Sequence, residues 1–435
     1  MDYIFSLPAG IKIAVAFAGI LMLYRLRVPL ALAVLINTVL LTLLTGTGTV
    51  GLLSLFRSFL LPQNYLMLLL IILLTFFSDA LSCTGKMENV VGAFRGVFKN
   101  QRVLAAGLPA VIGLLPMPGG ALFSAPFLAS IDEKDNIPAP LKAAVNYWFR
   151  HIWEYWWPLY PGVILALQYT GLPFGLFLLI QIPLTAAAVT GGYFFMLRSI
   201  PPAPPDTKSP VFPLRKALQT LWPIGLLVFV SLTVSSLLPS AAGVPAALAN
   251  LYGMIGGLCI ALTFVFGKNI FMFRKTCTLF FKPATGTLVL VVASVLAFSA
   301  VLQIPVNERG ATLVSLMRDE FLDLKIPLVF IIVLVPFISG MATGITVAFV
   351  GSSFPIVFAL IGHNPPLNVL LATTSLAYAS GYIGEMLTPM HICYILSNEY
   401  FKVRLLSTYR YLIGAAGTVA AGTVILCVIY YFVVR

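Results

Sequence analysis

The sequence predicts an all-α polytopic membrane protein made of two inverted repeats, each with five spans, one re-entrant hairpin and a broken helix. Three observations carry the prediction. Of 435 residues, 60% are hydrophobic and only 9% charged, with a mean hydropathy of +1.00, whereas soluble domains carry about 25% charged and about 45–50% apolar residues. The apolar segments have the length of helices, at about 20 residues per crossing, and lack the ~10-residue alternating pattern of an outer-membrane barrel. Interrupted apolar segments also recur at matched places in the two halves. Together these exclude a small disulfide scaffold, a nucleic-acid binder and a disordered chain.

The first repeat covers residues 1–200. Spans at 10–24 and 28–47 flank the turn Arg25-Leu26-Arg27, and a third runs over 63–83. The first helix follows the acidic Asp2, precedes two arginines and lacks a small-residue cleavage site, so it reads as a retained span rather than a removed signal peptide. A basic amphipathic stretch with Lys86, Arg95, Lys99 and Arg102 reads as a helix on the membrane surface. Residues 103–130 are apolar but broken at Pro116-Met-Pro118-Gly119-Gly120. Each side is too short to cross alone, which predicts a re-entrant hairpin. After the charged loop Asp132–Asp135 comes a broken span at 141–169, carrying Arg150, His151 and Glu154 and interrupted by Pro158 and Pro161; a span at 172–197 closes the repeat.

Residues 201–212 are a polar, proline-rich cytoplasmic linker, and the order then recurs over 213–435. Spans fall at 216–238, 244–266 and 283–303, followed by a charged amphipathic stretch at 304–325. Its charges, from Glu308 to Lys325, read as a solvated face. A second hairpin covers 326–361, interrupted at Ser339–Gly344. A broken span with Glu385 and Pro389 covers 367–397, and the last span is 410–434. An ungapped offset of 231 pairs Gly113 with Gly344, Gly120 with Gly351, Phe123 with Phe354, Tyr147 with Tyr378, Glu154 with Glu385 and Pro158 with Pro389. A second offset of 221 pairs Phe77-Ser78 with Phe298-Ser299.

Charge fixes the orientation. The net charge is +12. With the N-terminus outside, 19 Lys and Arg fall on inner segments and 6 on outer ones, while Arg150 stays at membrane depth. Positive residues are retained on the cytoplasmic side, so the bias supports two hairpins that do not cross. Five crossings per repeat is an odd number, so the second repeat enters inverted.

Non-helical backbone survives in a bilayer only where it is buried in protein or lines a cavity. Transporters with inverted repeats use such breaks to hold substrate and coupling ions near the midplane. On this ground the candidate site comprises Pro118, Gly119, Gly120 and Ser124 of the first hairpin, with Ser339, Gly340, Thr343, Gly344 and Thr346 of the second. Arg150, Glu154, Glu385, Thr388 and His391 of the broken spans complete it. The glycines allow close approach to backbone, and the hydroxyls can complete a cation shell, such as that of Na+ at the tips. Glu154 and Glu385 read as proton or cation carriers, or else as caps on exposed N–H groups. Arg150 either binds an anion bidentately or pairs with Glu154 one turn on. His151 reads equally as a titrating group or an interfacial histidine, and Asp79 as a solvated or paired helix end. Four of the five tryptophans lie in the run Trp148–Trp157, which reads first as a headgroup-level aromatic belt and second as a substrate-lining wall. The five cysteines show no metal spacing and read as small buried hydrophobes.

The segment Leu115-Pro-Met-Pro-Gly-Gly-Ala-Leu-Phe-Ser-Ala-Pro126 and the two glutamate segments resemble the ion-transporter superfamily of gluconate permeases, dicarboxylate/sodium symporters and arsenite permeases. Within it, the chain is most similar to an uncharacterised ten-span prokaryotic membrane family. The resemblance implies a two-hairpin fold, secondary transport and a homodimer with a sliding transport domain. The dicarboxylate symporters carry Ser-Asn-Thr at both tips. This chain has Pro118-Gly119-Gly120 and Ser339-Gly340-Met341, so dicarboxylate and sodium do not carry over.

The expected function is a secondary active transporter of the prokaryotic inner membrane. It moves a small, anionic organic solute by alternating access, coupled to H+ or Na+. Beyond that ion no cofactor is expected, and the partners are the solute, membrane lipids and a second copy of the chain, with no nucleic acid. A channel or lipid translocator is the alternative. No P-loop, HExxH or GxSxG is present, and the lone His151-x-x-Glu154 lacks a second ligand cluster in sequence. An enzyme is therefore not expected.

Overall fold

Proline punctuates the helices. Pro8, Pro29, Pro138, Pro173, Pro245, Pro327 and Pro366 each stand immediately before a helix, where a fixed φ and a missing N–H cost nothing. A computed structural model describes residues 7–83, 91, 92, 94, 97, 98, 100–114, 120–132, 136–201, 214–267, 270–280, 283–306, 310–362 and 364–433. The linker at 202–212, Lys86, Arg95, Lys99, Pro118, Gly119, Glu308 and most of the 132–135 loop lie outside the described residues.

In the first half the helices are α1 (Ala9–Arg25), α2 (Leu30–Leu44), α3 (Gly48–Phe59), α4 (Pro62–Cys83), α5 (Gln101–Gly113), α6 (Ala121–Ala129), α7 (Ala139–Arg150), α8 (Pro161–Thr170) and α9 (Phe174–Phe195). In the second half they are α10 (Leu214–Ala242), α11 (Ala246–Phe266), α12 (Ile270–Phe280), α13 (Pro283–Leu302), α14 (Leu313–Asp323), α15 (Leu328–Thr343), α16 (Thr346–Leu360), α17 (Leu367–Leu387), α18 (Ile392–Tyr400) and α19 (Leu405–Val433). Among the described residues six helices are long and apolar enough to cross a membrane: Pro62–Leu81, Phe174–Ser199, Trp222–Ala242, Ala246–Phe266, Thr285–Leu302 and Leu405–Phe432. The all-α polytopic class is borne out.

Short helices occupy both interrupted segments, and residues 115–119 of the first interruption lie outside the described residues. Helices α5 and α6 have 13 and 9 residues, and α15 and α16 have 16 and 15. At 1.5 Å per residue none exceeds about 24 Å, short of a hydrocarbon core of about 30 Å. Each pair packs on itself as a hairpin. The first broken helix is unwound from His151 to Tyr160, and the second only from Thr388 to His391. Two prolines (Pro158 and Pro161) interrupt the first and Pro389 alone the second, so the first break is longer.

Packing is reciprocal between the halves. Helix α2 lies against α13 and α11 against α4, while α8 lies against α16 and α18 against α6. Outward-facing apolar residues such as Phe56, Leu179, Phe229, Leu406 and Phe432 supply the lipid-exposed surface.

Two elements differ from expectation. Helix α3 is separate from its neighbours: Gly48, Gly51 and Ser54 dilute its apolar character, and Val50, Leu53 and Phe56 are exposed. Its counterpart in order is the basic α12. The stretch 304–325 is not wholly a solvated face. The carboxylate of Glu320 accepts from the N–H groups of Ala9 (2.6 Å) and Gly10 (2.8 Å), satisfying two open donors at the start of α1.

Candidate functional site

The two broken helices meet at their breaks and run antiparallel. Tyr147 and Tyr378 each stand seven residues before a glutamate. The Tyr147 hydroxyl donates to the Glu385 carbonyl (3.3 Å) and lies 3.4 Å from that of Met386. The Tyr378 hydroxyl donates to the Glu154 carbonyl (2.5 Å). Reciprocal contacts of this kind require opposite chain directions. Tyr382 adds a bond to the His151 carbonyl at 3.2 Å. Carbonyls freed by the breaks thus find donors inside the protein, as backbone at membrane depth must.

Both glutamate side chains converge on Thr346, in the first turn of α16 just past the second hairpin tip. Thr346 Oγ1 lies 2.9 Å from Glu154 Oε2, and 3.1 and 3.0 Å from Glu385 Oε1 and Oε2. His151 Nε2 lies 3.9 Å from Glu154 Oε1, and His391 Nε2 lies 3.4 Å from Glu385 Oε1. All five residues are buried. The tip itself turns at Gly344, whose φ of 62° favours glycine and whose α-carbon faces Thr388 and His391. A hydroxyl carries one proton and can donate it to one carboxylate at a time. The second carboxylate must approach the same oxygen with a proton of its own or with a cation between.

The first hairpin meets a different group. A side chain at Gly120 would collide with the Arg150 guanidinium, so the absence of a Cβ lets this buried cation sit at the N-terminal end of α6. Backbone N–H groups there carry partial positive charge, and the end of the first hairpin is electropositive where the second carries two carboxylates.

The polar atoms of the aromatic run are engaged with acceptors on neighbouring helices. Trp153 Nε1, Trp157 Nε1 and the Tyr160 hydroxyl donate to the carbonyls of Ala110, Leu114 and Gly113 (2.7, 2.9 and 2.5 Å). They cap the C-terminal end of α5, whose last carbonyls have no helical partner. Trp148 Nε1 donates to the Ala188 carbonyl, and Trp156 Nε1 to the Thr185 hydroxyl.

Other expected site residues lie apart from this centre or serve packing. Ser124 bonds within its own helix to Gly120 or Ala121, and Thr343 to the Ser339 carbonyl. Ser339 joins Ser352, stapling the two arms of the second hairpin. Thr388 accepts from the Met390 N–H beside the break. Gly340 packs on the Gly381 carbonyl as Gly113 packs on that of Arg150. Arg150 and Gly381 stand 231 positions apart, so these two contacts match at the offset that pairs the glutamates, while Gly344 sits at the tip against Thr388 and His391.

Sequence reasoning did not single out Tyr382 or Cys393. Cys393 and both histidines come within 4.8 Å of one another by their ligating atoms. The only local signal was His391-x-Cys393.

The fold and the site define a polytopic helical membrane protein with two hairpins docked on two broken helices. The chain belongs to the family described as "Protein of unknown function (DUF401)", whose model matches residues 11–434. Its fold is similar to that of the Alcanivorax borkumensis YdaH transporter, a structure described as having an unusual topology, with a TM-score of 0.59 over 88% of each chain at 12% identity. Comparison with curated proteins finds no match.

Proposed function

We propose that the protein is a secondary active transporter of the ion-transporter type. It moves a small anionic organic solute across a prokaryotic inner membrane by alternating access, coupled to H+ or Na+. The observation that carries the reading is the meeting of Glu154 and Glu385, one from each half, on the single Thr346 hydroxyl in a buried setting. Two like charges brought this close in a buried setting repel, so the pair favours one bound proton or monovalent cation, which is what a coupling site must load and release. Arg150 and the N-terminal end of α6 offer positive charge for the solute. The antiparallel breaks support inverted repeats, whose exchange of shapes is the usual basis of alternating access. By the resemblance of the hairpins, the working unit is a homodimer.

A thermal-shift screen of purified protein against organic acids, at two pH values with and without Na+, names the solute class, because a ligand of the folded state raises the melting point. Uptake of that acid into proteoliposomes then tests coupling. Glu385→Gln should fold normally and lose gradient-driven uptake. Normal coupled uptake in that variant removes the glutamate from the mechanism. Lipid scrambling by pure protein, with no acid bound, replaces this reading by a lipid translocator.

A further inference from the structure

We propose that His151, His391 and Cys393 form a soft divalent-metal site of the Zn2+ type that bridges the two broken helices. The proposal stands apart from any transported solute. The three side chains are buried, with relative exposures of 2%, 7% and 6%, and their ligating atoms all lie within 4.8 Å of one another. The two imidazoles meet edge to face, 4.7 Å between centroids, with Tyr147 packed on both. A tetrahedral Zn2+ with bonds of about 2.0–2.3 Å has its ligands about 3.5 Å apart. No edge of the observed triangle needs to shorten by more than about 1.3 Å.

The hydrogen bonds prepare His151 for this geometry. His151 Nδ1 lies 2.6 Å from the Tyr147 carbonyl, and a carbonyl can only accept. Nδ1 therefore holds the hydrogen and Nε2 presents a lone pair, the usual arrangement of a metal-ligating histidine. That Nε2 is 3.9 Å from Glu154 Oε1, beyond hydrogen-bond reach. His391 Nδ1 accepts from the Cys393 N–H at 3.1 Å, which places its hydrogen on Nε2, toward Glu385. On metal capture the Nδ1 lone pair of His391 passes from the Cys393 N–H to the metal, and the Nε2 hydrogen stays toward Glu385. The Cys393 thiol gives up its proton, which the neighbouring carboxylates can accept. Glu385 or Glu154 is then at hand as a fourth ligand or as the partner of a ligating imidazole. Two nitrogens and a thiolate select Zn2+ or Co2+ over Mg2+ or Ca2+. His151 comes from the first half and the other two ligands from the second, so the ion would tie the halves together.

The test uses the full-length protein in detergent, stripped with chelator and reloaded with Co2+ or Zn2+. The expected result is one metal per chain and a thiolate-to-cobalt charge-transfer band. Cys393→Ser should lose the band, and His151→Gln and His391→Gln should each weaken binding by at least about 100-fold. Cys393 is also probed in the unaltered protein, where Zn2+ should slow its alkylation while Cys83, Cys259, Cys277 and Cys427 react as before. That measurement decides the matter if a variant fails to fold. Absence of stoichiometric metal, a cobalt spectrum without the thiolate band, or unprotected Cys393 overturns the proposal.

Discussion

Thr346→Val tests the central arrangement directly. Valine keeps the methyl group that packs on Gly162 and replaces only the hydroxyl that reaches Glu154 and Glu385 at 2.9 to 3.1 Å. The change removes one donor to a carboxylate and one acceptor for the shared proton. Hydrogen bonds to charged groups contribute about 1.5–3 kcal/mol, and a buried polar group left without its partner costs a similar amount. A loss of about 2–4 kcal/mol is expected, measured by reversible denaturation in mixed micelles. The cycle with Glu385→Gln isolates the contact. A neutral amide relieves the repulsion between the carboxylates and brings its own donor, so the second change should cost less when the first is present, by about 1 kcal/mol or more. Strict additivity, or a Thr346→Val protein as stable as the parent, would refute the view that one hydroxyl joins the two groups.

Tyr160→Phe and Trp157→Phe each strip a donor from the end of α5; each should destabilise the protein by about 1–3 kcal/mol in the same assay, and neutrality would return these aromatics to an interfacial role. Gly384→Ala places a methyl group against the Phe337 carbonyl and the Met341 N–H. Both are backbone, so α15 and α17 must separate, and a loss of about 2 kcal/mol or more, or failure to elute as a single species, is expected. Asp132 accepts from Lys142 Nζ at 3.1 Å and from the N–H groups of Asn136 and Ile137. Asp132→Asn removes the carboxylate charge that meets this buried lysine and should cost about 3 kcal/mol or more, with denaturation midpoint and uptake falling together.

The breaks were legible because proline and glycine announce them: Pro158 lies within the first break, Pro161 opens the helix after it, and Pro389 and Gly344 follow helix ends, for reasons of φ and missing N–H groups that need no tertiary knowledge. Glu154 and Glu385 were legible because a charge inside an apolar run has no ordinary explanation. Their meeting point was only half legible. The offset of 231 marked them as mates, but mates meet only where both halves cross, and nothing local to either segment says that they do. Helix α3 escaped notice because its glycines and serine blur an amphipathic pattern. The tryptophan run was only half legible, because an indole beside apolar residues looks the same whether it faces headgroups or caps a carbonyl of another helix. Cys393 was invisible for a similar reason: its neighbour His151 lies in the other half of the chain.

The distribution of charge at the two hairpins has a thermodynamic consequence that tests the proposed coupling as a whole. Arg150 lies at the end of the first hairpin, while Glu154 and Glu385 lie on Thr346 of the second. An anionic solute held at the first and a proton or Na+ held at the second attract each other across a region of low dielectric. Each should therefore tighten the other's binding, by the 1–3 kcal/mol typical of linked sites, or roughly 5–150-fold. Linkage demands that the two factors be equal. Calorimetric titration of the solute at saturating and absent cation, and of the cation at saturating and absent solute, should give the same ratio of Kd values. In Thr346→Val the ratio should fall toward one, because the cation no longer has a joined pair of carboxylates to occupy. A ratio of one in the unaltered protein would mean that the two hairpins bind independently, and the coupling proposed for Glu154 and Glu385 would then have no energetic source.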